Sequence, residues 1–305
     1  MSYRGDRVLV LGATGFIGRH VAEALAVVNA DIVISGPTAE AVNAVAPASK
    51  AERLACDVLS PDDVAELLQR VRPAFIFNLA GYGVRPTERD PVLAQRINAE
   101  LPGQLAELAA ALGATLIHTG SALEYGTAAG DLNETTACTP TTLYGQTKLA
   151  GTNAIRIHSL CTGSTAVTAR LFTVYGPGEI PGRLLPALIE VAKTRKPLPL
   201  TDGKQQRDFT YVGDVVEGLL RLGKSKPHPG SVVNLATGRL ATVRRFVESA
   251  ARVLDIDPHL LAFGELPTRA EEMAHDPVSI RRLRELTGGV PTTSIEDGVR
   301  KTAGR

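Results

Sequence analysis

Three glycines spaced three apart, Gly12, Gly15 and Gly18, follow the apolar run Val8-Leu9-Val10-Leu11 and open a helical pattern at Phe16, Ile17, Val21 and Leu25. An apolar run with no polar alternation is what a parallel strand buried on both faces requires. The glycines permit a tight turn and a close backbone approach, and the helix that follows presents unpaired N–H groups where negative charge is favoured. Such a turn also serves a plain strand–turn–helix. At the first strand–helix junction of a long α/β pattern, however, it points to a nucleotide held through its pyrophosphate.

The rest of the chain repeats the alternation. Strands are expected at residues 7–11, 31–34, 53–55, 74–78, 115–118 and 166–171, with helical patterns between them, including the alanine- and leucine-rich stretch 93–112. Alternating β and α segments give right-handed βαβ units and a doubly wound parallel sheet, the Rossmann arrangement of the α/β class, with ligands beyond the carboxyl ends of the strands. After Leu171 the texture becomes loop-rich, through Tyr175-Gly176-Pro177-Gly178-Glu179-Ile180-Pro181-Gly182. A dinucleotide-binding domain is therefore expected over residues 1–174, with 210–236 returning to it, and a smaller substrate-binding lobe over 175–209 and 237–305.

Composition narrows the class further. A hydrophobic content of 44% suits a globular core, and a net charge of +1 gives no electrostatic reason to bind nucleic acid or a membrane surface. No apolar run is long enough to span a bilayer and no signal-peptide pattern opens the chain, so a cytoplasmic protein is expected. The three cysteines, Cys56, Cys138 and Cys161, are widely spaced without a C-x-x-C pair, which predicts buried, reduced thiols and neither a disulfide framework nor a metal site.

Chemistry is carried by a second stretch, Leu143-Tyr144-Gly145-Gln146-Thr147-Lys148. Tyr144 and Lys148 are one helical turn apart and share a face. A phenol ionises near pH ~10, and an adjacent ammonium stabilises the phenolate, which brings proton transfer closer to neutral pH. The bland alternative is a surface pair on an ordinary helix, but of the six tyrosines only Tyr144 has a lysine four residues on. Upstream, the strand ending in Ile117-His118-Thr119-Gly120 delivers Ser121 to the edge where a cofactor would lie.

Taken together these residues resemble the extended short-chain dehydrogenase/reductase family, of the NAD-dependent epimerase/dehydratase type, over essentially the whole chain. The resemblance runs through the glycine triplet, Cys56-Asp57-Val58, Asn78-Leu79-Ala80-Gly81, Asn98, Ser121, Tyr144 and Lys148. It continues through Arg170-Leu171-Phe172-Thr173-Val174-Tyr175-Gly176-Pro177, Gln206-Arg207-Asp208-Phe209 and Glu265-Leu266-Pro267-Thr268-Arg269. It implies that Tyr144 is the general acid/base, that Lys148 lowers its pKa and holds the nicotinamide ribose, and that Ser121 binds the substrate oxygen. It also places Gly12, Thr14, Gly15, Phe16, Ile17 and Gly18 under the pyrophosphate, and Asp57 and Val58 by the adenine. Leu79, Ala80, Gly81 and Asn98 are implied to lie beneath the cofactor, and Arg207 and Arg269 to clamp a nucleotide diphosphate, a use suited to forked guanidinium groups. Without the resemblance, those two arginines would read as surface salt-bridge partners.

Departures from the family pattern discriminate among its reactions. The 4,6-dehydratases carry an acidic pair after the catalytic hydroxyl residue, where this chain has Ala122 and Leu123. Glu124 is one position further on, with its side chain expected to point elsewhere. The second strand ends Ile34-Ser35-Gly36-Pro37, without the carboxylate that usually accepts adenine-ribose hydroxyls, so NADP is expected as the cofactor, with NAD as the alternative; Arg19 or Arg53 would supply the positive charge. Thr173 stands where many relatives have an asparagine on the sugar diphosphate. The favoured reading is NAD(P)H-dependent reduction of a nucleotide-linked 4-keto-6-deoxy sugar, supported by the segment 265–269 with Glu271, Glu272, Met273 and His275. A nucleotide-sugar 4-epimerase comes second, and a non-catalytic dinucleotide sensor third. Reductases of other carbonyl compounds fit poorly, since a neutral substrate gives two anion clamps nothing to bind. Substrate choice is expected to depend on residues 82–85 and 181–185, and the resemblance implies a homodimer through two helices, one of them bearing Tyr144.

Overall fold

A computed structural model of the chain describes residues 2–45, 51–85, 87–268, 275–289 and 293–305. The first strands are β1 (Arg7–Leu11), β2 (Asp31–Gly36), β3 (Glu52–Ala55), β4 (Phe75–Asn78), β5 (Thr115–Ser121) and β6 (Ala166–Leu171). They are followed by the short β7 (Thr173–Tyr175), β8 (Leu198–Leu200), β9 (Gln206–Arg207) and β10 (Phe209–Tyr211), then β11 (Ser231–Leu235), β12 (Ala241–Thr242) and β13 (Leu261–Phe263). Seven form one sheet in the order β11-β6-β5-β4-β1-β2-β3, every adjacent pair parallel. The chain leaves β1 toward β2 and β3, then crosses back to β4 on the other side. That reversal opens a crevice above the carboxyl ends of β1 and β4.

Helices α1 (Phe16–Val27), α2 (Ala39–Asn43), α3 (Pro61–Val71), α4 (Pro91–Gln95), α5 (Leu101–Leu112) and α6 (Leu143–Thr162) come from the first half. The second half adds α7 (Leu184–Thr194), α8 (Val212–Lys224), α9 (Val243–Leu254), α10 (Arg281–Thr287) and α11 (Ile295–Ala303). Alternate strand residues feed opposite faces of the sheet. Val8, Val10 and Ile117 pack with Val21 and Leu25 of α1 and Leu219 of α8, while Leu9, Leu11 and Leu116 pack with Leu68 of α3, Leu105 of α5 and Ile155 of α6. Each expected strand lies in this Rossmann sheet, and β11 joins it as an edge. A third apolar cluster gathers Tyr175, Leu185, Leu188, Phe209 and Phe246 with Val299 of α11. Its centre is the stack of Phe209 on Phe246 at 4.3 Å between ring centroids, with Tyr175 edge-on to Phe246 at 5.1 Å.

Two expectations are corrected here. The stretch 93–112 is not one α-helix: a π-helical turn, Arg96–Glu100, separates α4 from α5. Of the three free cysteines only Cys56 is buried; Cys138 is half-buried, and Cys161 is exposed in the last turn of α6 because it falls on the helix face turned to solvent.

Candidate active site

The turn after β1 is shaped by contacts that only glycine allows. Gly12 has φ +83°, and a Cβ there would sit 2.7 Å from the Ala80 backbone nitrogen. A Cβ on Gly18 would collide with the Gly12 carbonyl oxygen. Gly15 is the N-cap of α1 without any side-chain cap, and the first turn holds no acidic residue. The amides of Phe16, Ile17 and Gly18 therefore have no intrahelical acceptor and no competing carboxylate, so this end fits a dinucleotide pyrophosphate. Thr14 packs toward β2, where a Cβ on Gly36 would lie 2.5 Å from its methyl carbon.

The loop after β4 forms the facing wall. The Leu79 amide donates to the Leu11 carbonyl at 2.9 Å, and the Ala80 amide donates to Asn78 Oδ1 at 3.2 Å. Asn78 Nδ2 meets Nδ1 of the fully buried His118 at 3.1 Å, and burial together with the Lys148 charge holds that imidazole neutral, well below its usual pKa. Gly81 faces Lys148: a Cβ there would lie 3.4 Å from Nζ. Asn98, in the π-turn, spends its carboxamide on protein. Its Nδ2 donates to the Tyr82 carbonyl at 2.7 Å and to Thr147 Oγ1 at 3.1 Å, while its Oδ1 accepts from the Tyr82 amide at 3.0 Å. π-turns recur at functional sites. Here the wider turn lets one side chain fasten the loop to α6.

Helix α6 carries the chemistry. Thr142 Oγ1 caps it by accepting from the Gly145 amide at 3.1 Å, which fixes the first turn and with it Tyr144. Gly145 and Gly151 let the helix seat closely, since side chains there would strike the Leu123 and Asn98 carbonyls. The Tyr144 hydroxyl lies close enough to Ser121, the last residue of β5, for that side chain to favour its ionised form. Lys148 is buried, with Nζ donating to the Thr119 carbonyl at 3.0 Å and lying 5.9 Å from the Tyr144 ring centroid. The structure thus brings Ser121, Tyr144, Lys148, Gly81 and Asn98 together at the carboxyl ends of β4 and β5.

The electrostatics differ from expectation. The Tyr144 ring is half-exposed, but its hydroxyl end lies deep. Burial, then the charge of Glu124, push its pKa up to about 12, against the opposing pull of Arg183 and Ser121. Burial likewise pulls Lys148 down to about 8. An ammonium turned toward a backbone carbonyl does not offset the loss of water around the phenol.

Several neighbours were not singled out from sequence. Glu88 gathers the amides of Gly83, Val84 and Arg85 on Oε2 at 2.9, 3.0 and 3.2 Å, which shapes the loop against Tyr144. Glu179 is half-buried, Oε1 lying 3.5 Å from Arg183 and Oε2 buried without a hydrogen-bond partner; burial pushes its pKa up to about 7. The Glu124 carboxylate turns toward Arg170, 2.8 Å away. An arginine inside the wholly buried strand Ala166–Leu171 was the available signal, because a buried guanidinium requires a partner.

Other expected residues lie further out. Asp57 and Val58 follow β3, and Asp57 Oδ1 accepts from the Leu59 amide at 3.0 Å. Arg53 donates to the Val45 and Ala51 carbonyls, and Arg19 Nε to the Gly15 carbonyl at 3.3 Å. Arg207 sits on the ribbon of β9 with β12, opposite Ala241. Its neighbour Asp208 is buried and accepts from the amides of Thr237, Gly238 and Arg239 at 2.8–3.2 Å. Arg269, with Glu271, Glu272 and Met273, lies outside the described residues.

Residues 8–236 match the sequence profile of the NAD dependent epimerase/dehydratase family. The chain belongs to that family. Its relatives include the uncharacterized UDP-glucose epimerase YtcB of Bacillus subtilis (strain 168), 31% identical over 96% of this chain and 95% of that one. The dTDP-6-deoxy-L-talose 4-dehydrogenase (NAD(P)(+)) of Kitasatospora kifunensis is 28% identical over 97% and 94%. Among solved structures, MoeE5 in complex with UDP-glucuronic acid and NAD superposes with a TM-score of 0.84 at 28% identity, over 98% of both chains. As a member of the epimerase/dehydratase family the protein is an enzyme of oxidoreductase type, and the family is NAD-dependent. Among the described residues, no helix is long and apolar enough to cross a membrane and no cluster of metal-ligating side chains occurs.

Proposed function

We propose that the protein transfers hydride between NAD(P) and C4 of a nucleotide-linked sugar, in the direction that reduces a 4-keto-6-deoxy sugar. The observation that carries this reading is the meeting of Ser121 at the end of β5 with Tyr144 and, one helical turn on, the buried Lys148, whose Nζ lies 5.9 Å from the Tyr144 ring centroid. When bound, the nicotinamide supplies the hydride. Ser121 holds the sugar oxygen, Tyr144 delivers the proton, and Lys148 fixes the ribose and its charge. A phenol whose pKa is raised to about 12 stays protonated at neutral pH, the state needed for donation. Arg207 and Arg269 are assigned to the nucleotide diphosphate, within a substrate lobe of residues 175–209 and 237–305. Ala122 and Leu123 supply no acid for dehydration.

The end of β2, Ile34-Ser35-Gly36-Pro37, offers no carboxylate to the adenine ribose, which supports NADP over NAD. A cytoplasmic homodimer completes the proposal. The second reading, a 4-epimerase that retains NAD, is favoured by the likeness to YtcB.

Two assays separate them. Stoichiometric oxidation of NADPH or NADH with a thymidine-diphospho-4-keto-6-deoxy sugar supports the reductase. Conversion of UDP-glucose to UDP-galactose without net cofactor change supports the epimerase. Tyr144→Phe is expected to lower either turnover by about 100-fold or more with cofactor affinity kept; full turnover in that variant overturns both.

A further inference from the structure

Beneath Ser121 lies a buried ion pair that the reaction as described does not use. Arg170 on β6 is 4% exposed and Glu124 is fully buried; Arg170 Nε donates to Glu124 Oε2 at 2.8 Å. The other carboxylate oxygen, Oε1, accepts from the Ser121 backbone amide at 2.8 Å. Ser121 Oγ in turn accepts from the Leu123 amide at 3.2 Å, closing a capping box over the turn Ala122–Glu124. Arg170 is fixed from two more sides, with Nη2 3.2 Å from Cys138 Sγ and its guanidinium 4.5 Å from the centroid of the Tyr125 ring. Gly120, opposite Arg170 in the β5–β6 register, leaves the space the carboxylate occupies: a Cβ there would collide with Glu124 Oε1.

Buried pairs of this kind are weak contributors to stability, since desolvation offsets the attraction and apolar replacements are often neutral. We infer that Glu124, clamped by Arg170, is a positioning residue: it fixes Ser121 through its amide and holds a buried carboxylate charge under the Ser121–Tyr144–Lys148 site. The inference rests on the reading of Tyr144 as the proton-transfer group.

The charges around Tyr144 support it. Glu124 approaches from the turn after β5, Glu88 from the loop after β4, Arg183 from the N-terminus of α7, and Lys148 from the same helix; His118 beside Lys148 is neutral. Of these, Glu124 is the foremost charge on Tyr144, and it opposes the phenolate. The same carboxylate counters the loss of the Lys148 ammonium to burial.

The test is the ultraviolet titration of tyrosinate in NAD-loaded protein, with Tyr144 isolated by subtracting the matching Tyr144→Phe variant. Glu124→Gln keeps an acceptor for the Ser121 amide and removes the charge. The double variant Glu124→Gln/Arg170→Met removes both charges and guards against misfolding of the single one; circular dichroism reports the fold. The Tyr144 step is expected to fall by about one pH unit or more in both variants, emerging below alkaline unfolding. A step that stays with the parent protein's, or that stays hidden until both variants unfold, overturns the inference. Failure of the underlying reading looks different, since Tyr144→Phe would then retain turnover whatever the titration shows.

Discussion

At the scale of single residues, the site holds ionisable groups where water is scarce, and the consequences have a sign. Glu179 is the clearest case outside the chemistry. Its carboxyl is pushed up to about 7 by burial, with Arg183 compensating only in part. Between the ordinary carboxyl pKa and about 7 the folded state binds a proton that the unfolded state has released, so stability falls as pH rises through that window. Glu179→Gln removes the penalty. The variant is expected to match the parent near pH ~4.5 and to exceed it by up to roughly 3 kcal/mol near pH ~8. Chemical denaturation at both pH values checks this, and equal stability of the two proteins at the higher pH refutes it. Lys148, pulled down to about 8, is the opposite case: its buried ammonium costs stability below that pH, and the cost is relieved as pH rises from there toward 10.5.

At the scale of elements, the close fit of the β1 turn against the loop after β4 yields a sharper test. Gly12→Ala introduces a methyl group 2.7 Å from the Ala80 nitrogen at a φ of +83°. Both walls of the cofactor crevice must shift, so NADH affinity, followed by fluorescence titration, is expected to fall about 10-fold or more, or ~1.4 kcal/mol. Unchanged affinity would mean that the cofactor does not lie across this turn. The regular elements were legible in sequence because their signals are local: unbroken apolar runs for the central strands, glycine spacing for the turn, and i,i+4 spacing for Tyr144 and Lys148. The π-turn around Asn98 was not, since one extra residue per turn leaves the apolar periodicity of 93–112 almost unchanged. The strands β7 to β10 are two or three residues long, too short to show alternation. The partners of Glu124 and Tyr144 escaped for another reason. Arg170 is 46 residues from Glu124, and Arg183 and Glu88 reach Tyr144 from separate loops, so only the fold brings them together.

At the scale of the whole molecule, the helix bearing Tyr144 has two faces with different environments. Inward, Lys148, Thr152 and Ile155 are buried; outward, Ile157 and Leu160 are 63% and 52% exposed. Helix α4 packs beside α6 and adds Val92, exposed to 60%. Large aliphatic side chains left half in water forgo about 1–2 kcal/mol each that full burial would return, which supports the proposed homodimer through this helix. Because Tyr144 sits at one end of the helix whose other end carries Ile157 and Leu160, such an interface would also brace the catalytic turn. Size-exclusion chromatography with light scattering is expected to give twice the mass of the single chain at micromolar concentration. Ile157→Asp is expected to give the monomer, because a carboxylate at the centre of an apolar interface has no partner to offset its desolvation. Turnover in that variant should fall several-fold with KM little changed, as the outer turn of α6 loosens. A parent protein that elutes as a monomer would remove the interface from the proposal while leaving the chemistry of Ser121, Tyr144 and Lys148 untouched, since each of those side chains is supplied by one chain.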